Sequence, residues 1–256
     1  MTEPLPCESL GDGTDIVVFA HGFTQTRSAW RPVATELVRL STNVRCVLVD
    51  LPGHGDAGTR DSDLHEAASA LVATAGRAHY VGYSLGARVV LAAALHHSAV
   101  VRSVVSVSGT AGIEDADERE RRRRSDAQLA ERIVDVGVDA FLEEWLAQPL
   151  FADLPHDRAL IDDRRVNTAR GLASSLARCG QGAVAPMWNE LATRTTPLLA
   201  IAGTRDQKFT SLARRMAMIA PRGALALING AGHSVHLEQP EAVARELSYW
   251  INTPKE

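Results

Sequence analysis

An α/β fold is predicted, with a mostly parallel central sheet, helices on both faces and a helical insertion. Three observations carry it. Short runs rich in β-branched residues alternate with stretches of helical periodicity. The runs are apolar throughout rather than alternating, as strands buried on both faces must be. Finally, the rhythm stops after Val107 and resumes only at Pro197, and the residues between are helical in pattern.

Taken in order, the predicted strands are 16–20 (IVVFA), 44–50 (VRCVLVD), 79–83 (HYVGY), 100–108 (VVRSVVSVS), 197–203 (PLLAIAG) and 224–228 (ALALI). Helical periodicity marks 30–40, 63–76 and 85–97. A last helix, 240–251, opens on Pro240, where a missing N–H costs little. Two core segments, 1–111 and 191–256, are thus expected to flank a helical cap, 112–190, which holds the run ERERRRRSD and helical pieces near FLEEWL (141–146) and ARGLASSLARCG (169–180). Before Asp15 the sequence offers no clear strand.

The chain has 256 residues, 45% of them hydrophobic and 23% charged, enough to bury a core without disulfides or metals. A net charge of -4, and an arginine run without interleaved aromatics, give no reason to expect a nucleic-acid partner. Three scattered cysteines have no metal-ligand spacing and fit a reducing compartment. His233 and His236 lie three apart, with no third ligand by spacing. Neither a signal peptide nor a membrane-spanning run is recognisable, so a soluble cytoplasmic protein is expected. Oligomeric state is not fixed by the sequence.

The chemistry centres on GYSLG, Gly82 to Gly86. The pattern G-x-S-x-G between a strand and a helix describes a turn so tight that side chains beside the serine would meet neighbouring backbone. Ser84 then stands at a helix N-terminus, among unpaired N–H groups. A serine oxygen needs a base, and the base an orienting carboxylate. Asp206 closes one predicted strand (AGTRD) and His233 follows another (NGAGH), in the order Ser, Asp, His. HGF (21–23) brings backbone close to a ligand, so the amides of Phe23 and Leu85 are candidate oxyanion donors. His21 and His54, the latter in DLPGHG, read as structural residues of their loops.

HGF, DLPGHG, GYSLG, GTRD and GAGH together resemble the α/β-hydrolase superfamily. HGFTQTRSAW, GYSLGAR, WLAQPLF, CGQGAVAPMW, GTRDQKF and GHSVHLEQP resemble more narrowly the 2-succinyl-6-hydroxy-2,4-cyclohexadiene-1-carboxylate synthases, lyases of menaquinone biosynthesis. Ala87 departs from the glycine usual there. The resemblance implies that Ser84, activated by His233 and Asp206, removes a proton beside a ketone and that pyruvate leaves, without metal or organic cofactor. It also implies a small-molecule substrate with three carboxylates, bound by Arg88, Tyr83, Arg122, Trp145 and Arg165. The elbow itself serves equally a carboxylesterase, a thioesterase or a C–C bond hydrolase, and a non-catalytic binding module has the same fold.

Overall fold

The structure is a computed structural model and describes residues 3–253. Its sheet has seven strands in the order β1-β3-β2-β4-β5-β6-β7. They are β1 (Cys7–Leu10), β2 (Asp15–Ala20), β3 (Val44–Val49), β4 (Ala78–Tyr83), β5 (Val101–Val107), β6 (Leu198–Gly203) and β7 (Gly223–Ile228). Neighbours pair in parallel except β1, which runs antiparallel along β3, with Cys7 opposite Val49. All residues of β4 and β6 are buried, which is why these strands read as unbroken apolar runs.

Helices cover both faces. On one side α1 (Arg31–Leu40) and α10 (Pro240–Asn252) enclose a cluster that includes Trp30, Leu37, Val81, Ile201 and Leu247. On the other side lie α2 (Leu64–Ala75) and α3 (Leu85–His96), with residues of α8 (Gln207–Ile219) packed into the same core. Helix α2 starts in a capping box: the Asp63 carboxylate accepts from the Glu66 amide, and Glu66 accepts from the Asp63 amide. Helix α3 is buried on every side from Leu85 to Leu95, so it cannot be amphipathic and reads as Ala, Val and Leu around its circumference. It starts directly behind Ser84, and its burial fixes the axis on which the serine sits.

Between β5 and β6 no strand forms. Helix α4 (Ala116–Leu146) runs on across a kink at Gly137, whose φ of 79° and ψ of 172° are outside the helical region. The arginine run and FLEEWL thus lie on one bent rod. The bend carries Phe141 and Trp145 onto Phe23, with ring centroids 6.3 and 5.2 Å away. Helices α5 (Ile161–Arg165), α6 (Ala169–Cys179) and α7 (Trp188–Thr193) complete the segment. Ile133, Phe141, Leu172 and Leu176 form a small core of their own, and Phe23 and Trp145 pack against it.

Two elements depart from the sequence reading. Strand β1 lies where no strand is expected, because four half-exposed residues at an edge carry no apolar run. Helix α8 begins at Asp206, whose carboxylate accepts from the Phe209 amide, so one residue both caps a helix and faces His233. Leu37 is fully buried between α1 and the sheet. Leu37→Ala is expected to cost about 2–5 kcal/mol, read as a lower urea midpoint at an unchanged m-value.

Candidate active site

Ser84 sits at the crest between β4 and α3 with φ 50° and ψ -100°, a conformation few non-glycine residues adopt. Its amide donates to Val107 O at 3.0 Å, and the Gly86 amide donates to His21 O at 3.0 Å. The flanking glycines answer to crowding. A Cβ on Gly82 would lie 2.2 Å from Gly86 O, and one on Gly86 would lie 2.1 Å from Ala20 O. The strain is carried by the serine, and the glycines let three backbone segments close around it.

His233 follows β7 and its ring is buried beside Phe209, with centroids 4.4 Å apart. Its Nδ1 donates to Asp206 Oδ2 at 2.8 Å. That bond sets the tautomer and leaves Nε2 as the free edge. Ser84 and His233 line the same cavity, and among the described residues no hydrogen bond joins them. The loop around His233 is held from both sides by Glu238, which accepts from the amides of Gly232 (2.5 Å) and Ser234 (2.8 Å). Burial raises the Glu238 carboxyl above its ordinary value. Ser108 Oγ adds a third restraint by donating to His233 O at 2.8 Å.

Phe23 and Leu85 line the same cavity. Around Phe23, the Gly22 amide donates to Gln25 Oε1, the Thr24 amide to His54 Nε2 and the Gln25 amide to Gly22 O. Around Leu85, the amides of Ser84 and Gly86 are both engaged. Phe23 N–H and Leu85 N–H are left without acceptors among the described residues.

His21 and His54 use both ring nitrogens to build these loops. His21 Nδ1 donates to Gly22 O (2.8 Å) and its Nε2 accepts from the Leu51 amide (3.0 Å). His54 Nδ1 donates to Pro52 O (3.0 Å) and its Nε2 accepts from the Thr24 amide (3.3 Å). Burial lowers His21 to about 4 and His54 to about 3. Each ring is committed as a neutral structural link.

The cavity is strongly cationic. Arg88, Arg122, Arg164 and Lys208 line it, and among the described residues no aspartate or glutamate does. Arg88 is buried one turn after Ser84. Its Nη2 donates to Cys179 O at 2.9 Å and its Nε finds no partner. Burial, with Arg122 alongside, lowers Arg88 to about 10, so it remains a cation at neutral pH. Arg122 Nε donates to the buried Asp126 at 2.7 Å, while Arg123 and Arg124 turn outward to Glu120. Tyr83 lines the floor, its hydroxyl 3.2 Å from Ser234 Oγ. Trp145 lines the wall with its buried Nε1–H unpartnered.

Arg165 is a correction. It does not reach this cavity: its side chain is half exposed, pairs with Asp139 and Asp162, and lines a separate groove. The arginine that enters is Arg164, only 1% exposed, whose guanidinium donates to Ala159 O and Thr24 Oγ1. Successive residues on a helix point about 100° apart, so within the short helix α5 Arg164 and Arg165 face different surroundings. Asn167, from the same motif, ties the insertion to the loops below by donating to Thr24 O (2.7 Å) and accepting from the Gly55 amide (2.8 Å). Arg164, Lys208 and Gln25 are cavity residues the sequence reading does not name. The signal for Lys208 was present, two residues after Asp206 in GTRDQKF.

The sheet, the serine elbow and the acid and histidine at strand ends define an α/β-hydrolase. The chain belongs to the alpha/beta hydrolase family, whose sequence profile matches residues 17–246. Within that family it is 31% identical over 247 residues to a 2-succinyl-6-hydroxy-2,4-cyclohexadiene-1-carboxylate synthase of Serratia proteamaculans, the match covering 93% of each chain. The synthase of Escherichia coli O1:K1 is 32% identical over 247 residues, covering 92% of this chain and 93% of that one. Among solved structures, MenH from S. aureus superposes with a TM-score of 0.86 over 98% of both chains at 24% identity. Among the described residues no helix is long and apolar enough to cross a membrane.

Because His21 and His54 are held neutral in the fold, the unfolded chain binds more protons than the native one as pH falls below 6.5. Their stabilisation is complete above that pH and is lost toward pH 4 for His21 and pH 3 for His54. Urea titrations between pH 6.5 and 4 should show a loss of up to about 1.4 kcal/mol per pH unit per ring. His54→Gln should make that slope shallower.

Proposed function

We propose that this protein is a carbon–oxygen lyase of menaquinone biosynthesis. Its reaction would remove pyruvate from 2-succinyl-5-enolpyruvyl-6-hydroxy-3-cyclohexene-1-carboxylate, giving 2-succinyl-6-hydroxy-2,4-cyclohexadiene-1-carboxylate. The observation that carries the reading is the cavity wall, which holds four cations and, among the described residues, no carboxylate side chain. A neutral ester has no use for such a wall, whereas a substrate with three carboxylates requires it. The names of the relatives from Serratia and Escherichia point the same way.

In this mechanism Ser84 Oγ takes the proton beside the succinyl ketone as its own proton passes to His233 Nε2. Asp206, bonded to Nδ1 at 2.8 Å, stabilises the imidazolium. The electron pair moves onto the ketone oxygen, held by the free amides of Phe23 and Leu85. Collapse of that enolate forms the C2–C3 double bond, shifts the existing C3–C4 double bond to C4–C5 and breaks the bond from C5 to the enolpyruvyl oxygen. Pyruvate leaves as its enolate and takes a proton relayed from His233 through Ser84, which restores the neutral imidazole and the serine hydroxyl. In this reading the Ser84–His233 hydrogen bond forms in the substrate complex, since catalytic hydrogen bonds are often long or unmade in ligand-free sites. Arg88, Arg122 and Arg164 hold the carboxylates, Tyr83 and Trp145 flank the ring, and no step needs a metal.

The test is pyruvate release from the enolpyruvyl precursor, followed through lactate dehydrogenase. Release by the wild type is expected, and Ser84→Ala should abolish it along with any hydrolysis of small activated esters. Arg88→Ala should lower kcat/KM for pyruvate release by about 10- to 100-fold, the weight of a charge-assisted hydrogen bond. Weak ester hydrolysis should survive in that variant. No pyruvate, together with robust turnover of simple acyl esters, would instead identify a serine hydrolase.

A further inference from the structure

The cations of the cavity fall into three stations. Arg88 and Arg122 stand together, close enough for one to disfavour the charge of the other. Arg164 stands apart, fastened to Thr24 Oγ1 and Ala159 O. Lys208 is the third, and it differs from the others by being exposed at the mouth.

Its position is a poor one for fold stability. Lys208 is the second residue of α8, where the helix dipole opposes a positive charge. No ion pair compensates it among the described residues. The nearest acid along the chain, Asp206, is already occupied by His233 Nδ1 and the Phe209 amide. Lys208 Nζ lies 5.8 Å from the centroid of the Phe209 ring, and that ring packs on His233 with centroids 4.4 Å apart. A cation is therefore held over the Phe209 ring, one aromatic ring removed from the imidazole, with no ion-pair partner among the described residues.

We propose that Lys208 is a specificity-determining residue that takes the third carboxylate of the substrate, the one left at the cavity mouth once the two arginine stations are filled. The assignment rests on the reading of the cavity as a tricarboxylate site. It gives Lys208 a binding role with no part in proton transfer. Lys208 discriminates three-carboxylate ligands from two-carboxylate ones, because a dicarboxylate is satisfied by the arginines alone.

Lys208→Met and Lys208→Arg, both at an exposed position, test this with the intact enzyme. For pyruvate release, Lys208→Met should raise KM about 10-fold with kcat within about 2-fold of wild type, the pattern of lost uniform binding. Lys208→Arg should restore KM to within about 3-fold, since the charge is kept. Quenching of tryptophan fluorescence by citrate and by succinate supplies a readout independent of turnover. Lys208→Met should weaken citrate about 10-fold and succinate less than about 2-fold. An active wild type whose KM and citrate affinity are both unchanged in Lys208→Met overturns the proposal and leaves the lyase reading standing. A wild type that releases no pyruvate overturns the lyase reading, and the citrate titration then decides alone: equal affinity in wild type and Lys208→Met overturns the role of Lys208, and weaker binding in the variant supports it.

Discussion

The site depends on the backbone of Ser84, held at a φ of 50° by packing that leaves it no alternative. Strand β2, the turn and helix α3 approach so closely that a single methyl group on Gly82 or Gly86 would collide with a carbonyl. Such a conformation costs about 1–3 kcal/mol and persists only when its surroundings over-determine it. Here the surroundings are the fully buried β4 and α3, together with hydrogen bonds that tie Ser84 to β5 and Gly86 to the loop after β2. Those bonds engage the amides on either side and leave that of Leu85 free. Strain at the serine and an open donor beside it have the same origin.

The second constraint is electrostatic. Arg88 and Arg164 are buried against carbonyl and hydroxyl oxygens, not carboxylates. Burying a charge without a counter-charge is expensive, and burial lowers the pKa of both guanidiniums. Only Arg122 has an acid, and Asp126 is itself pinned by the Gly182 amide, so it steers Arg122 and does not enter the cavity. The wall therefore carries positive charge that the carbonyl and hydroxyl oxygens holding Arg88 and Arg164 do not neutralise.

Core and insertion are not separable in this arrangement. Asn167 joins α5 to both loops below it, and Phe141 and Trp145 pack on Phe23, whose amide is one of the free donors. The kink at Gly137 makes that contact possible by turning the second half of α4 inward. Glu238 performs a similar service at the histidine loop from within the core.

By itself the sequence determined the layered α/β architecture and singled out Ser84, Asp206 and His233 as candidates; the structure bonds Asp206 to His233 and sets His233 on one cavity with Ser84. Period and order are local properties: apolar runs mark buried strands, and chemistry at their ends follows from how open sheets place their sites. Arg88 was legible for the same reason, one helical turn from Ser84. Only the tertiary structure decided between Arg164 and Arg165, because a one-turn helix has no periodicity to read and both residues are arginine. The resemblance had already singled out Arg122 from a run of four, and the structure sets it on the cavity, paired with the buried Asp126. The tertiary structure alone added β1, an edge strand held by pairing with β3 and not by burial, and brought Lys208 to the mouth. Which way a side chain points depends on residues distant along the chain, and no local pattern records it.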